Sequence, residues 1–586
     1  MFGDAILFVK PVLFGKDETY GPLLWHVKPA DGPASDVHGT RVVESGRAYD
    51  LSSNQEIESS NPSSPANSTS NHEPVVIGRP AEPTLRVLAP AIVGAISLVV
   101  YVRTLLPGIA FGDWGEMQTV PHVLGVAHPT GYPTYILLAW FAQLVPIGEI
   151  AFRANLLSAV LVSGALAATV AILLRLGTRP IIAVAAALGL GAVSTVWAAA
   201  TVAEVNPLHL LFVALLLHRA LVWEDRRRTR DLLIGALLLG LALGNHLLMV
   251  FVAPFVTLFV LWVGRHEIAA RPWILAAAAC VGLIGVATYL YIPIAAAQSP
   301  PLPYNHPVTL DGVLWLVGGT QFRSQFGFLS SSGLTEFTGS LGALWQLLTD
   351  RATPVVPILG LLGLAVLVRR RPAFGLMCPG ILLAHIYMWA NYLRLEHYLL
   401  VPWLLLAIGA GVALEGAARG LAARQRWLRG FDASRLVGAA GLAFAVGLTV
   451  TNWQASDRSA DRTGEVYVDA VLGALPEDAA ILSEWDASTP LWHARYVLGR
   501  RRDVLIVDDT NIVYEGWGTR ERRIAALICE RPVFILRLRD ADLRPTRAAY
   551  RVEPFLAVRV AQGGPSAAVD RQVFKVAPQN PSLCGP

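Results

Sequence analysis

Two carboxylates stand out in the stretch from Pro107 to Pro133, PGIAFGDWGEMQTVPHVLGVAHPTGYP. Asp113 and Glu116 lie among glycines and aromatic residues, and apolar segments precede and follow the stretch. An i, i+3 spacing places both side chains on one face if the backbone is helical. Acidic residues are rare at a membrane boundary unless they have a partner or a function. The pair therefore indicates a catalytic loop, with Asp113 as a base and Glu116 as a group that orients a substrate or shares a metal.

A purely structural interpretation of the same residues stays open. Asp113 would then cap a short helix, and Glu116 would be its solvated neighbour. The loop continues into His128-Pro129-Thr130-Gly131-Tyr132-Pro133, where the prolines and the glycine predict a stiff turn. Such a turn would hold His128 and Tyr132 near the membrane surface, to meet a phosphate or a hydroxyl, or else as an interfacial anchor.

The composition indicates that the elements that position these residues are membrane helices. The chain has 586 residues, of which 54% are hydrophobic and only 15% charged, and its mean hydropathy is +0.49. These values are typical of a polytopic membrane protein and not of a soluble domain. The net charge of +4 is too small to indicate a nucleic-acid-binding protein.

Apolar segments long enough to cross a bilayer follow one another from Val87 onwards. The predicted spans are 87–106, 155–174, 180–200, 207–223, 231–244, 247–264, 273–294, 353–368, 373–390, 398–416 and 436–452. A further segment, Tyr132 to Pro146, is short and bounded by prolines. If this segment lies along the outer surface, every arginine-rich loop falls on the cytoplasmic side, as the positive-inside rule requires. We therefore predict about eleven transmembrane helices, one interfacial helix and a cytoplasmic amino terminus, in a cell (inner) membrane.

Two further regions flank the predicted membrane domain, 86–452. Residues 1–85 contain a Ser/Asn/Pro-rich tract without periodicity and are predicted to be a disordered cytoplasmic tail. Residues 453–586 alternate short β-like runs with helix-like stretches, which predicts a small extracytoplasmic α/β domain. Cys529 and Cys584 lie in this part, and the sequence leaves open whether they pair.

The loop motifs resemble those of a known family. The chain contains G-D-x-G-E at Gly112–Glu116, then H-P-x-G-Y-P at His128–Pro133, then R-x-N-L-L-S at Arg153–Ser158. In this order and spacing they resemble a family first catalogued as a domain of unknown function. That family belongs to the GT-C membrane glycosyltransferases, and its eukaryotic members are protein O-mannosyltransferases that act on plexin-type receptors. The resemblance is strongest across about residues 86–220, with weaker traces near Glu204, Asn245-His246 and Glu396-His397-Tyr398.

The resemblance implies a sugar donor on a polyprenyl phosphate, used at the outer face of the bilayer on a hydroxyl acceptor in a protein or a glycan. Asp113 would act as general base, and direct displacement would invert the anomeric centre. Mannose is the sugar suggested by analogy. Two carboxylates without a clear third ligand are a poor metal signature, so no cofactor is expected, although a divalent metal is conceivable.

The departing lipid phosphate needs positive charge or hydrogen-bond donors to receive it. The outer-face candidates are Arg153, His246, Arg394 and His128. Glu204 would contact sugar hydroxyls, or else it is an ordinary helix-terminus carboxylate. In the structural interpretation of Arg394, this arginine and Glu396 neutralise each other.

Two other classes of function remain as alternatives. A transporter or flippase of lipid-linked glycans would be expected to carry charges within its spans and matching broken helices in two halves. The spans here are almost free of acidic residues, and no internal repeat is evident. A non-catalytic membrane assembly factor would leave the Asp113/Glu116 loop unexplained.

Overall fold

A computed structural model of the chain describes residues 83–325, 333–392, 394–424, 432–537, 540–561, 568–580 and 584. The segment 1–85 predicted to be disordered therefore lies, up to residue 82, outside the described residues. In the part that is described, long apolar helices precede a small α/β domain, and both belong to one compact unit. This architecture confirms the predicted fold class, an α-helical membrane protein with a small carboxyl-terminal α/β domain.

The elements follow in chain order. The helices are α1 Pro83–Arg103, α2 Gly112–Thr119, α3 Pro133–Gln143, α4 Ile150–Arg175, α5 Pro180–Ala192, α6 Ser194–Ala200, α7 Asn206–Arg226, α8 Thr229–Leu243, α9 Ala253–Val263, α10 Arg265–Ala270, α11 Trp273–Val286, α12 Tyr291–Ala297, α13 Leu310–Val317, α14 Gly333–Ala352, α15 Val355–Arg370, α16 Pro372–Ala390, α17 Leu400–Arg424, α18 Ala433–Ser456, α19 Thr463–Ala474, α20 Trp485–Trp492, α21 Asp509–Tyr514, α22 Arg520–Leu527 and α23 Arg544–Ala549. The strands are β1 Ala480–Ser483, β2 Leu505–Asp508, β3 Val533–Arg537, β4 Tyr550–Ala561 and β5 Ala568–Pro578.

Among the described residues, seven helices are long and apolar enough to cross a membrane, or nine if each of two bent pairs is one span. The bent pairs are α5 with α6 and α14 with α15. These nine coincide with nine of the eleven predicted spans. The other two predicted spans are the helices α8 and α9, which have only 15 and 11 residues. The count of eleven therefore stays a prediction.

The centre of the membrane domain is built from helices that are apolar on every side. Helices α4, α7 and α17 are largely buried, whereas α1, α11 and α18 expose most of their surface. A helix that is hydrophobic all round is expected in the interior of such a protein, and exposed apolar faces suit contact with lipid. The core therefore lies along α4, α7 and α17.

The ambiguous segment Tyr132–Pro146 forms the helix α3, which begins with Pro133 at its first position. Proline suits this position because its missing N–H has no partner in the first turn of a helix. Eleven residues rise about 16 Å, roughly half of the thickness of a hydrocarbon core. A helix of this length fits the predicted interfacial position better than a span.

The soluble domain contains a five-stranded sheet in the order β2-β1-β3-β5-β4. Strand β1 runs parallel to β2 and β3, while β5 is antiparallel to β3 and β4. The carboxyl ends of the three parallel strands therefore share one edge of the sheet. The disulfide Cys529–Cys584 links a residue that follows α22 to one that follows β5. The two cysteines, whose pairing the sequence left open, are therefore paired.

Candidate active site

The two carboxylates of the predicted catalytic loop lie on helix α2 and face different environments. Gly112 has φ +60° and follows the extended Phe111, so the chain turns sharply into the helix. The Asp113 side chain is 54% exposed, whereas that of Glu116 is only 2% exposed. No side chain caps the amino terminus of α2. The structural interpretation, with Asp113 as a cap and Glu116 in solvent, is therefore wrong.

Glu116 is buried because it forms an ion pair with His128. The backbone N–H of His128 donates to Glu116 Oε1 at 2.9 Å, and His128 Nδ1 contacts Glu116 Oε2. On the other side of the ring, His128 Nε2 lies 3.0 Å from the Tyr132 hydroxyl and 4.0 Å from Asp113 Oδ2. The Tyr132 hydroxyl donates to the Pro129 carbonyl at 2.9 Å, so its oxygen accepts from the imidazole. Both ring nitrogens therefore act as donors, as they do in an imidazolium.

Electrostatics agrees with this assignment of protons. Burial alone would lower the pKa of His128, but the carboxylates of Glu116 and Asp113 outweigh it and raise the pKa to about 9. His128 is therefore a fixed positive charge at neutral pH. Burial raises the pKa of Glu116, and the adjacent imidazolium opposes that increase.

Glu204 approaches from the connection between α6 and α7. Its carboxylate accepts hydrogen bonds from Trp114 Nε1 at 3.2 Å, from the Val205 N–H at 3.0 Å and from Asn206 Nδ2 at 2.9 Å. It is therefore both a helix-terminus carboxylate and a partner of α2. Through Trp114, Glu204 fixes the residue directly after Asp113.

These side chains border one open cleft of about 300 Å³, part of which is open solvent. The cleft brings together Asp113, His128, Tyr132, Glu204 and His246 from the predicted set. The residues that line it are Asp113, Met117, His128, Tyr132, Glu204, Val205, Asn206, His246, His397 and Tyr398. Among these lining residues the cationic candidates are imidazoles and not guanidinium groups. Carboxylates therefore face imidazoles and tyrosine hydroxyls across the cleft.

His246 is the second imidazole of the cleft and is neutral. Burial and the neighbouring His397 and His128 lower its pKa to about 3. Its Nδ1 accepts a hydrogen bond from the Leu248 N–H at 3.1 Å, which places the remaining proton on Nε2. The ring packs against Tyr132 and Tyr398, with centroids 5.6 and 6.1 Å apart. His246 can therefore donate one hydrogen bond to a ligand without carrying charge.

Two predicted phosphate ligands lie away from the cleft lining. The Arg153 guanidinium donates to the main-chain carbonyls of Gln143 at 2.7 Å and Gly148 at 2.8 Å, and so closes the turn between α3 and α4. Arg394 is exposed and donates to Ser340 Oγ at 2.7 Å. Glu396 forms its ion pair with another residue of the chain.

That partner of Glu396 is Arg351, at 2.6 Å. The interpretation in which Arg394 and Glu396 neutralise each other is therefore wrong. The Arg394 guanidinium donates to Ser340 instead, and α14 delivers Arg351 to Glu396 from elsewhere in the chain.

A buried amide pair that the sequence did not single out holds the start of the loop. Gln118 Nε2 donates to Asn155 Oδ1 at 3.0 Å, and Gln118 Oε1 accepts from the Ala110 N–H at 2.9 Å. Asn155 also donates to the Leu106 carbonyl at 2.7 Å and accepts from the Ala203 N–H at 2.8 Å. Asn155 is the asparagine of the R-x-N-L-L-S motif, which is the signal that could have identified it. These bonds join α2, α4 and the connection before α7.

The soluble domain also contributes to the site. Trp485 Nε1 donates a hydrogen bond to Asp113 Oδ1 at 2.9 Å. Asp486 forms an ion pair with Arg571 at 2.7 Å, and no side-chain hydrogen bond caps α20. Asp486 therefore forms an ion pair and does not cap α20. The contact between Trp485 and Asp113 joins residues that are 372 positions apart in the sequence, so no local pattern predicts it.

Within the described residues, no group of three or more His, Cys, Asp or Glu side chains is arranged to hold a metal ion. The expectation of a reaction without a cofactor stays a prediction.

Known proteins with similar sequences share the loop region. Residues 113–269 match the family model described as the protein O-mannosyl-transferase TMEM260 N-terminal domain. Over 441 residues the chain is 26% identical to protein O-mannosyl-transferase TMEM260 of Mus musculus, covering 71% of this chain and 62% of the mouse protein. A shorter match, 41% identical over 49 residues, covers 8% of this chain and 6% of protein O-mannosyl-transferase tmem260 of Dictyostelium discoideum. The chain thus spans less than two thirds of the length of these relatives.

Solved structures show the fold. ArnT from Cupriavidus metallidurans bound to undecaprenyl phosphate superposes with a TM-score of 0.52 at 15% identity, covering 85% of this chain and 99% of ArnT. The apo state of ArnT gives a TM-score of 0.54 at 14% identity, covering 85% and 98%. The resemblance seen in the motifs is thereby confirmed: this chain has the fold of the GT-C membrane glycosyltransferases and is similar, in residues 113–269, to the protein O-mannosyl-transferases of the TMEM260 type.

Proposed function

We propose that this chain is a membrane glycosyltransferase that moves a sugar from a polyprenyl phosphate to a hydroxyl acceptor at the outer face of the membrane. The observation that carries the proposal is the half-exposed carboxylate of Asp113 beside the imidazolium of His128, with 4.0 Å between Oδ2 and Nε2. The carboxylate can take the proton that leaves the acceptor, and the imidazoles of the same cleft can stabilise the negative charge that develops on the leaving group.

Asp113 is the general base of the proposed reaction. As the acceptor oxygen attacks the anomeric carbon, its proton passes to Asp113, and attack from the side opposite to the phosphate inverts the anomeric centre. The bond between the anomeric carbon and the phosphate oxygen breaks, and the phosphate keeps the electron pair. The side chain of Asp113 is half-exposed, so a macromolecular acceptor can reach it.

His128 and His246 receive the departing phosphate. His128 supplies a positive charge that Glu116 stabilises in the cleft, and His246 supplies the Nε2–H donor. Preorganised donors of this kind stabilise charge that develops in a transition state. Arg153 and Arg394 have no part in this proposal because their guanidinium groups are held by other groups of the protein.

The identity of the substrates is proposed from the relatives. The ArnT structure named above was solved bound to undecaprenyl phosphate, which supports a polyprenyl-phosphate donor here. The mouse relative is named a protein O-mannosyl-transferase, which supports mannose as the sugar and a protein hydroxyl as the acceptor. No nucleic acid is expected among the partners.

The test is sugar transfer by the purified full-length protein in detergent, offered a panel of polyprenyl-phosphate sugars with hydroxyl-bearing peptides. Consumption of one donor with release of polyprenyl phosphate supports a transferase over a flippase, because detergent micelles have no second leaflet. Asp113→Asn should reduce the rate by roughly 100- to 10,000-fold, the usual contribution of a general base. The matched control is Asp311→Asn, an exposed carboxylate outside the cleft lining. Normal transfer by Asp113→Asn would contradict the assignment of the base.

A further inference from the structure

One residue of the soluble domain, Trp485, contacts both Asp113 and His128 of the cleft. The indole N–H of Trp485 donates to Asp113 Oδ1 at 2.9 Å. The same indole ring packs edge-on against the imidazole of His128, with centroids 5.7 Å apart. Trp485 thus occupies one carboxylate oxygen of Asp113 and leaves the other, Oδ2, on the side of His128.

A buried ion pair holds the residue next to Trp485. The Arg571 guanidinium binds both oxygens of the Asp486 carboxylate, at 2.7 and 3.3 Å, and the Arg571 side chain is 0% exposed. The guanidinium also lies over the ring of Phe111, 4.9 Å from its centroid. Phe111 is the residue that precedes α2. Arg571, from strand β5, therefore contacts both Phe111, just before α2, and Asp486, next to Trp485.

The helices that carry these residues are packed without space between them. A Cβ on Gly115 of α2 would lie 2.8 Å from Thr489 Oγ1 of α20. Further along, the Thr119 hydroxyl lies 3.3 Å from His493 Nδ1. The contact between Trp485 and Asp113 is therefore part of a continuous interface and not the chance meeting of two surface side chains.

We propose that Trp485 is a positioning residue for Asp113, and that the Arg571–Asp486 pair fixes Trp485 for this task. This inference rests on the proposed function, in which Asp113 is the base. A half-exposed aspartate samples several rotamers, and only one of them aims a free oxygen at the acceptor. The indole N–H selects that rotamer by binding Oδ1. The soluble domain thereby completes a site whose other parts belong to the membrane domain.

The kinetic test is Trp485→Phe, which keeps an aromatic ring beside His128 and removes the N–H donor together with the second ring of the indole. We expect kcat for sugar transfer to fall roughly 10- to 100-fold, as for a misplaced catalytic group. The dissociation constant of polyprenyl phosphate should stay within about twofold, because the phosphate ligands are untouched. The matched control is Trp517→Phe, in the same domain, whose ring stacks with Arg523 away from the cleft lining. An unchanged kcat, or a loss matched by weaker binding of polyprenyl phosphate, would overturn the proposal.

A spectroscopic test does not depend on activity. In protein labelled with 5-fluorotryptophan, the fluorine resonance that Trp485→Phe removes belongs to Trp485. It should shift when Asp113→Ala removes the acceptor and stay in place in Asp311→Asn. If the chemical shift of this resonance is unchanged in Asp113→Ala, the indole does not bind this carboxylate. If no donor of the panel is transferred, the proposed function fails, and the resonance alone still decides whether Trp485 holds Asp113.

A second variant covers the case in which Trp485→Phe does not fold. Asp486→Asn keeps the size of the side chain but removes the charge that binds Arg571. We expect a smaller fall in kcat, with the same unchanged binding of polyprenyl phosphate. The matched control is Arg551→Gln, which breaks an exposed ion pair with Glu553 in the same domain. If Asp486→Asn has the kcat of the wild type, the Arg571–Asp486 pair does not fix Trp485, and this part of the proposal is wrong.

Discussion

At the level of single residues, the chemistry of the cleft depends on the charge that Glu116 and His128 share. Glu116 is almost fully buried, and its ion pair with His128 is the reason a carboxylate can occupy that position. The imidazolium donates one hydrogen bond to Glu116 and the other to the Tyr132 hydroxyl. The result is a cation whose orientation is set before any substrate binds.

This arrangement makes a prediction about pH. The pKa of His128, raised to about 9 against the effect of burial, keeps the imidazolium charged through neutral pH. The variant Glu116→Gln removes the closest anion, so burial lowers the pKa and the charge is lost as the pH rises. The alkaline limb of the pH–rate profile should therefore move to lower pH, with a larger loss of transfer at about pH 8.5 than at about pH 6. An alkaline limb that stays in place, with Glu149→Gln as the exposed control, would refute the charged state of His128.

At the level of elements, helix α2 is held by contacts with both the membrane domain and the soluble domain. The amide pair of Gln118 and Asn155 holds it from the membrane side, and the Glu465 carboxylate accepts from the Ile109 N–H just before it. Helix α20 packs along its other face, next to Gly115. Helix α2 is therefore fixed between the two domains.

The close approach at Gly115 can be tested directly. In Gly115→Ala the new Cβ would lie 2.3 Å from the Ala110 carbonyl oxygen and 2.8 Å from Thr489 Oγ1, so α2 must move away from α20. We expect a loss of stability of roughly 1–3 kcal/mol from overpacking, together with a lower kcat. The measurements are the thermal unfolding midpoint and the rate of sugar transfer. Gly473→Ala is the control, because the helical position 473 has no atom within 4 Å of a new Cβ, and an equal effect of both variants would contradict this account.

Local sequence patterns explain why some elements were predictable. The long apolar runs gave the membrane helices, and the short runs that became β1, β2 and β3 gave the parallel strands, because length and hydropathy are properties of neighbouring residues. The β4–β5 hairpin was not predicted, since its exposed positions carry charges such as Arg551 and Glu553 and its partner strand is defined only by pairing. The residues of the loop motif were found because their types are unusual next to apolar spans.

Contacts between distant positions could not be predicted in the same way. Asp113 and Trp485 are 372 positions apart, and neither periodicity nor composition links them. The pairing of Glu396 with Arg351 shows the same limit, because proximity in sequence favoured Arg394 instead. The burial of Arg571 could not be predicted either, because the residues next to it in strand β5 are polar.

At the level of the whole molecule, the position of the cleft matters only if it opens on the side where acceptors are found. The positive-inside rule predicts that the α2 loop and the soluble domain lie outside the cytoplasm. The Cys529–Cys584 bond supports this orientation, since disulfides persist in oxidising compartments.

The orientation can be measured by labelling single cysteines in intact cells. Glu149→Cys, in the exposed turn between α3 and α4, should react with a membrane-impermeant maleimide. Arg228→Cys, in the exposed turn between α7 and α8, should react only after permeabilisation. Both are made in a background without the free cysteines Cys280 and Cys378. The reverse pattern would place the cleft in the cytoplasm and end the proposal of an outer-face transferase.

The fit between α2 and α20 has a consequence for chimeric proteins. A graft of the soluble domain from a distant relative would bring its own counterparts of Thr489, Trp485 and Arg571, shaped for a different catalytic helix. Such a hybrid should insert into the membrane normally and yet turn over slowly until residues 108–119 are exchanged as well. We therefore expect this short helix and the domain that covers it to work as one unit, although the two are encoded in distant parts of the described chain.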